Sequence, residues 1–406
     1  MTSVIRALFV RLHRWAGLAM AGFLIVVGLT GSLLAFWLEV NQWLTPELYP
    51  GARAGKALGA ATLARRAESL APEARVDRVY LGYAGTVIVG VSPRSSDASL
   101  PFNQIFLDPI DGHELGRRKI GGLPAHVNQI MPFVYQLHMY LAMGNIGEWI
   151  LGIVALLWTL DCFIGFYLTL PVGGERSRKS FVARWKPSWL VKFKSSFYRV
   201  NFDLHRAAGL WLSAMLFVFA WSSVSFKMPN FYTRATQLVL DYETPVWAQA
   251  GTPPNDVRAP MQWEAAQETG ERLMEEQARQ HGFAVERPLA LYHLRAKSLY
   301  EYRVRSSRDI GDKAGSTSIL FDSRSGALKR ISLPTGHRNG TTLTTWLVEL
   351  HMANLFGLPY RVFVCAMGLV IAMLSVTGVY IWWKKRKARR YRERIRGGAE
   401  AGVPAE

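Results

Sequence analysis

Four long apolar stretches govern what this chain can become: Trp15 to Phe36, Ile150 to Leu170, Ala207 to Phe226, and Arg361 to Trp383. Each supplies roughly the 20 apolar residues that a helix needs to cross ~30 Å of hydrocarbon. The expected fold class is therefore an integral membrane α-helical protein with four transmembrane helices. The first stretch reads as a retained span and not as a cleaved signal. It is long, and no small-residue cleavage site leads into a mature domain after Trp37 and Glu39.

A net charge of +18 raises the question of a nucleic-acid partner, and its distribution gives the answer. The basic residues gather before the first span (Arg6, Arg11, Arg14), between the second and third (GERSRKSFVARWKPSWLVKFKSSFYR) and after the fourth (KKRKARRYRERIR). With four spans all three segments fall on one side, and an excess of Lys and Arg in short flanking segments marks that side as cytoplasmic. The charge is topology, so no nucleic acid is expected. Both termini are placed inside, and the long connections, about residues 39 to 145 and 227 to 350, outside. The Arg-rich residues after Trp383 read as a solvated anchor on anionic membrane lipid. The two cysteines, Cys162 and Cys365, both sit in expected spans and read as small packing residues, not a disulfide.

The chain is also written twice. Placing His13 on His205 brings Gly17 onto Gly209, Leu18 onto Leu210 and Thr30 onto Ser222. Placing His138 on His351 brings Gly165 and Tyr167 roughly onto Gly378 and Tyr380. The outside segments repeat in the order helix, strand, strand, strand, with Asp108 and Gly112 matching Asp322 and Gly326 at a closing turn. Each predicts a small α+β layer of helix on sheet. The organisation is an N-terminal segment and first span (1–38), a first outside domain (39–125), and a histidine-bearing segment with the second span (126–170). A basic cytoplasmic loop (171–204), the third span (205–226), a second outside domain (227–345), a histidine segment with the fourth span (346–383) and a basic tail (384–406) complete it.

Four of the nine histidines occupy equivalent places in this repeat. His13 and His205 precede outward-running spans and lie near the cytoplasmic surface; His138 and His351 precede inward-running spans and lie near the outer one. A single histidine at a helix end is ordinarily an interfacial residue. Four in repeat-related positions, where unpaired polar groups are expensive, point instead to ligands. Two imidazoles on facing helices can supply both axial ligands of a haem iron, an arrangement that favours electron transfer over oxygen binding. The reading is two b-type haems, one on His13 and His205 and one on His138 and His351.

Arg14 and Arg206 each follow an inner histidine, where a guanidinium could hold a haem propionate or simply express the positive-inside bias. Glycines 17, 22, 28 and 31, and 144, 147 and 152, leave room for a flat macrocycle or for close helix packing alike. Asp161 is the one carboxylate deep in an expected span, open to protonation, a hydrogen bond or a proton path. Its repeat counterpart is about Leu374. His126 and His337 read as exposed loop residues that could alternatively contact substrate or replace one of the outer ligands, and His113, His281 and His293 as surface positions. No HxxxH, CxxC, HExxH or strand-associated GxGxxG occurs, so reducing equivalents must come from elsewhere.

These residues carry a resemblance. LHRWAGL, NQIFLDPIDG and LHMYLAMGNIGEWILG leading to IGFYLTLP, then LHRAAGL and LHMANLFGLPYR leading to TGVYIWWKK, are similar to the PepSY-associated transmembrane proteins of bacterial inner membranes. Within that family the chain looks most like di-haem siderophore-iron reductases, up to about Arg390, although TLP stands where tryptophans usually end the second span. The resemblance implies two periplasmic PepSY domains and two haem b groups held by span histidines. It also implies an oxidoreductase that reduces ferric siderophore outside the inner membrane with electrons from a quinol or a cytoplasmic reductase. A haem-free accessory of iron-siderophore transport, or a PepSY-based regulator, would leave the four histidines without a role.

Overall fold

A computed structural model describes residues 2–83, 85–95, 97–172, 179–245, 259–313 and 315–400. In chain order the elements are α1 (Thr2–Leu34), α2 (Trp37–Leu44), α3 (Ala60–Leu70), β1 (Ala74–Tyr83), β2 (Thr86–Pro93), β3 (Gln104–Leu107) and β4 (Glu114–Arg118). Then come α4 (Ile130–Tyr140), α5 (Asn145–Thr169), α6 (Phe181–Trp185), α7 (Phe197–Trp211), α8 (Ser213–Lys227) and α9 (Pro229–Gln237). The last are α10 (Trp263–His281), β5 (Val285–Leu294), β6 (Leu299–Ser306), β7 (Thr317–Asp322), β8 (Leu328–Ser332), α11 (Asn339–His351) and α12 (Gly357–Glu400). Two compact units result: Met1–Ser32 with Leu137–Lys227 and Phe363–Glu406, and Leu33–Gln136 with Met228–Val362. Residues 173–178 of the expected basic loop, 246–258 of the expected second outside domain and 401–406 of the tail lie outside the described residues.

The first unit is the helical one, and it corrects the expectation of four transmembrane helices. Among the described residues three helices are long and apolar enough to cross a membrane: Val4–Leu34, Asn145–Thr169 and Gly357–Glu393. The expected third span is two helices, α7 and α8, bent by 69° at Leu212, and it reaches span length only as a pair. Hydropathy counts apolar residues along the chain and is blind to direction, so a bend inside an apolar stretch leaves no mark in it. Leu29, Ile153, Leu160, Phe163, Leu369 and Val376 turn outward and are exposed. In water such a surface would be a liability; in lipid it is the solvated face. Helices α1 and α12 meet backbone to backbone: a Cβ on Gly368 would run into the Gly28 carbonyl oxygen. At the basic end, the Arg6 guanidinium donates to the Leu168 carbonyl at 2.6 Å, filling one of the acceptors that the end of α5 leaves open. Trp185, Trp189 and Trp211 form a chain of edge-to-face contacts there, 5.0 Å between successive rings. Aromatic rings of this kind belong at a membrane–water boundary.

The second unit corrects the other half of the expected fold class. In place of two small α+β domains there is one eight-stranded antiparallel sheet, in the order β4-β3-β2-β1-β5-β6-β7-β8. Each half is a four-stranded meander with its own helix, α3 or α10. The halves are joined where β1 pairs with β5, Val79 opposite Leu291, Arg78 opposite Tyr292 and Tyr80 opposite Ala290. A free β1 or β5 edge would present unpaired N–H and C=O groups, and joining the edges satisfies both rows at once. One apolar core runs through the two halves, from Leu63, Val79, Val89 and Ile105 to Leu291, Tyr302, Ile319 and Phe321. Helices α3 and α10 lie side by side over it, with Gln267 Oε1 accepting from the Ala61 N–H at 2.8 Å and Arg65 paired with Glu264.

The strand expectation is extended by one in each half, because the matched turns lead into β4 and β8. Asp108 Oδ1 accepts from the Ile110 N–H at 2.7 Å, and Asp322 Oδ1 accepts from Arg324 and Ser325 at 3.0 and 2.9 Å. Both turns close on a glycine with positive φ, Gly112 at 70° and Gly326 at 72°, a conformation that costs any side chain about 1–2 kcal/mol.

Candidate functional site

Within the helical unit α1 and α7 bring His13 and His205 together, as the repeat predicts. Their ring centroids are 6.1 Å apart with the planes at 60°. Two imidazoles that each bind one metal ion at ~2 Å hold their centroids about 6 Å apart, so the spacing is that of a shared ion. The Nδ1 atom of each ring is already committed. His13 Nδ1 lies 2.9 and 3.0 Å from the two Asp161 oxygens. His205 Nδ1 lies 3.0 Å from the Leu374 carbonyl and 3.0 Å from Thr377 Oγ1. The Thr377 hydroxyl donates to the Leu374 carbonyl, so its oxygen is left to accept. His205 therefore carries its proton on Nδ1, as does His13 opposite an ionised Asp161, and no described residue hydrogen-bonds to Nε2. This is the tautomer a metal-ligating histidine needs, with the outer nitrogen fixed by an acceptor.

The two rings border open space. A cavity of about 440 Å³ opens at the α7–α8 bend, lined by His13, His205, Asp161, Gly17, Gly209, Ser213 and Leu216. It falls in the range of cofactor pockets. Gly17 and Gly209 each stand one helical turn after an inner histidine, and a Cβ on either would meet nothing within 4 Å. On their other sides the histidines are packed tightly: a Cβ on Gly378 would come within 3.2 Å of His205 Cε1, and one on Gly165 within 3.6 Å of His13 Cε1. The matched glycines thus divide into two kinds, one keeping the cavity open and one letting a helix close on the back of the ring. Free nitrogen donors, an open cleft and a wall of apolar residues fit a planar iron porphyrin.

The basic residues at this cavity behave unequally. Arg14, on the cavity wall, lies 5.5 Å over the Trp15 ring. Arg206 is largely spoken for: it donates to the buried Asp203 carboxylate at 2.8 Å and to the Pro187 carbonyl, leaving its buried Nε–H without a partner. Asp203 also binds Arg199. Arg206 therefore works as a structural ion pair within α7, with one N–H to spare.

His138, near the end of α4, repeats the pattern of the inner rings. Its Nδ1 lies 3.0 Å from Thr30 Oγ1, whose hydroxyl donates to the Val26 carbonyl at 2.7 Å and so accepts from the ring. A Cβ on Gly31 would come within 3.1 Å of His138 Cε1. Lys227, only 9% exposed, completes this end of the unit, its ammonium 4.5 Å over the Tyr140 ring and 3.8 Å from Met139 Sδ. His351 is the last residue of α11 and belongs to the sheet-containing unit.

The remaining histidines sort themselves out by burial. His126 and His337 are exposed, the latter with its ring 5.7 Å from that of His281. His113 is exposed and bonded to Asp111 at 2.6 Å. Asp108, Asp111 and His113 lie close enough to hold an ion, but Arg53 already binds both carboxylates. His293 overturns its expectation as a surface position. It is 6% exposed and stacks on Tyr300 at 4.3 Å, and burial together with nearby arginines pushes its pKa down to about 4. Cys162 and Cys365 are free thiols.

Asp161, Thr377 and Thr30 were not recognisable from sequence as partners of the histidines. The available signal was the register of the repeat, since Thr30 matches Ser222 and Asp161 matches Leu374, the very residue whose carbonyl serves His205. No curated protein matches the chain. The PepSY-associated TM region matches it over residues 10–385. The protein belongs to the PepSY-associated transmembrane family.

Proposed function

We propose that this protein is a b-type cytochrome of the bacterial inner membrane that passes electrons outward and reduces ferric siderophore in the periplasm. The observation that carries the reading is the inner pair: two rings 6.1 Å apart in an open cavity, each with Nδ1 bonded and Nε2 free. His13 and His205 would hold one haem; the duplication extends the reading to a second haem with His138 as a ligand. A bis-histidine haem supplies one-electron transfer without an open iron site. The chain's own residues do the rest: they fix the ring tautomers, keep the cleft open at Gly17 and Gly209, and line it with apolar groups. The basic end, with Arg6, Arg14 and Lys385 at the cavity, is read as cytoplasmic and faces the donor, a quinol or a soluble reductase. With the inside negative, an electron gains up to ~2.3 kcal/mol per 100 mV on a full outward crossing. The acceptor is a hard-oxygen ferric chelate, whose grip loosens once the iron is ferrous.

The test is an absorbance spectrum of the purified full-length protein before and after dithionite. The expected result is a Soret band with sharpened α and β bands on reduction and about two haems per chain, falling by one in His13→Ala and in His205→Ala. A colourless protein, or full haem content in both variants, refutes the proposal.

A further inference from the structure

The two rings of the inner pair are not held alike. His13 gives its Nδ1–H to a carboxylate, whereas His205 gives the same proton to a neutral carbonyl and a hydroxyl. The difference runs against the repeat: the spacing that carries His138 onto His351 carries Asp161 onto Leu374. Asp161 is 8% exposed and lies deep in α5, whose other carboxylate, Glu148, is in the first turn. Putting a carboxylate there costs several kcal/mol, and orienting a ring does not require it, as Leu374 and Thr377 show for His205. What Asp161 adds is charge. At the other end of the unit the sign reverses. His138 is held by the neutral Thr30 hydroxyl, and the buried Lys227 ammonium sits against Met139 and Tyr140, the two residues that follow it.

We propose that Asp161 is a positioning residue that draws the His13 Nδ1 proton toward itself, giving the ring partial imidazolate character. An iron bound at the inner pair is then held in its oxidised form more strongly than one bound by His138 beside Lys227. This rests on the haem reading above. The physical basis is that a hydrogen-bonded carboxylate raises the basicity of a metal-ligating imidazole, and a more basic ligand favours Fe(III) over Fe(II). A nearby cation does the opposite. The inner site is thereby the lower in potential, and the polarity of the helical unit runs from its basic end toward Lys227.

The test is a redox titration of the full-length holoprotein followed optically, with dithionite as reductant, comparing wild type with Asp161→Asn, Asp161→Glu and Lys227→Met. Two one-electron waves are expected in wild type. Asp161→Asn should move the lower one to more positive potential and leave the upper one in place; Lys227→Met should move the upper one down. Asp161→Glu, which keeps the charge, should stay near wild type. Electron paramagnetic resonance of the ferric protein should show shifted low-spin g values in Asp161→Asn alone. Two haems with unmoved midpoints in Asp161→Asn would sink the inference and leave the cytochrome standing; a wild type without haem would sink both. Loss of one haem in Asp161→Asn but not in Asp161→Glu supports the role assigned to the charge. Loss in both variants overturns it.

Discussion

Replacing Leu291 by alanine tests whether the two halves of the sheet are one folding unit. Leu291 is fully buried and stands opposite Val79 across the β1–β5 seam, in a core that draws Val89 and Ile105 from one half and Ile319 and Phe321 from the other. Truncating a buried leucine costs 2–5 kcal/mol, the larger values arising where the cavity cannot collapse. Here β5 is hydrogen-bonded to a strand on each side, so little relaxation is available and a cost of roughly 3–4 kcal/mol follows. A domain of ordinary stability would survive that loss. The assay is hydrogen exchange read by mass spectrometry on the full-length protein in detergent. Amides that open only by global unfolding should exchange roughly 150- to 900-fold faster, since each 1.36 kcal/mol is a factor of ten. The decisive peptides are β2 and β3, whose residues make no ladder contact with β5. They should accelerate together with β6 and β7. If the acceleration stops at the seam, and only β5 to β8 lose protection, the halves are independent domains and the single-core argument is wrong.

Filling the cavity should separate binding from folding. Gly17→Leu or Gly209→Leu places a side chain in open space beside an inner histidine, so haem content should fall to about one per chain while far-UV circular dichroism stays unchanged; retention of both haems would show that the cavity is not the binding site. His293 should make stability fall on acidification. Its folded pKa of about 4 lies below the ordinary value near 6.5, so the unfolded chain takes up a proton the folded one refuses. Stability is then fully present above pH ~6.5 and is lost toward pH 4 by up to about 1.4 kcal/mol per pH unit. Denaturant melts across that window should be flatter for His293→Phe than for wild type, and parallel profiles would refute the assignment. Gly112→Ala and Gly326→Ala should each cost about 1–2 kcal/mol by the same melts, because both turns demand positive φ.

What was legible in the sequence was what the two copies share. The matched Asp108 and Asp322 build the same turn, and His13 and His205 meet as their common register implies. Partners remote in sequence were not legible. Asp161 and His13 are 148 residues apart, and no local periodicity joins them. The β1–β5 seam is likewise non-local, and only three residue pairs make it. His293 was misread because it follows alternating residues in PLALYHL, whereas this strand lies under a helical layer in mid-sheet and buries Leu289, Ala290 and Leu291 in succession. The bend at Leu212 escaped because both of its sides are apolar.

The disagreements between the copies carry the functional argument further than the agreements do. Glycines at Gly165 and Gly378 do the same job behind His13 and His205, so a symmetric scaffold follows from repeating them. A conduit needs direction, which a symmetric scaffold cannot supply. Direction has to come from residues that break the repeat, and two of the breaks described near the three histidines of the helical unit carry charge. Asp161 stands where the other copy has a leucine, and Lys227 lies at the opposite end, beside His138. Were the two copies identical at these positions, only the membrane potential and the external donor and acceptor would decide which way an electron runs. On the cytochrome reading proposed above, the anion at the basic end and the cation at the other would make the helical unit itself favour one sense.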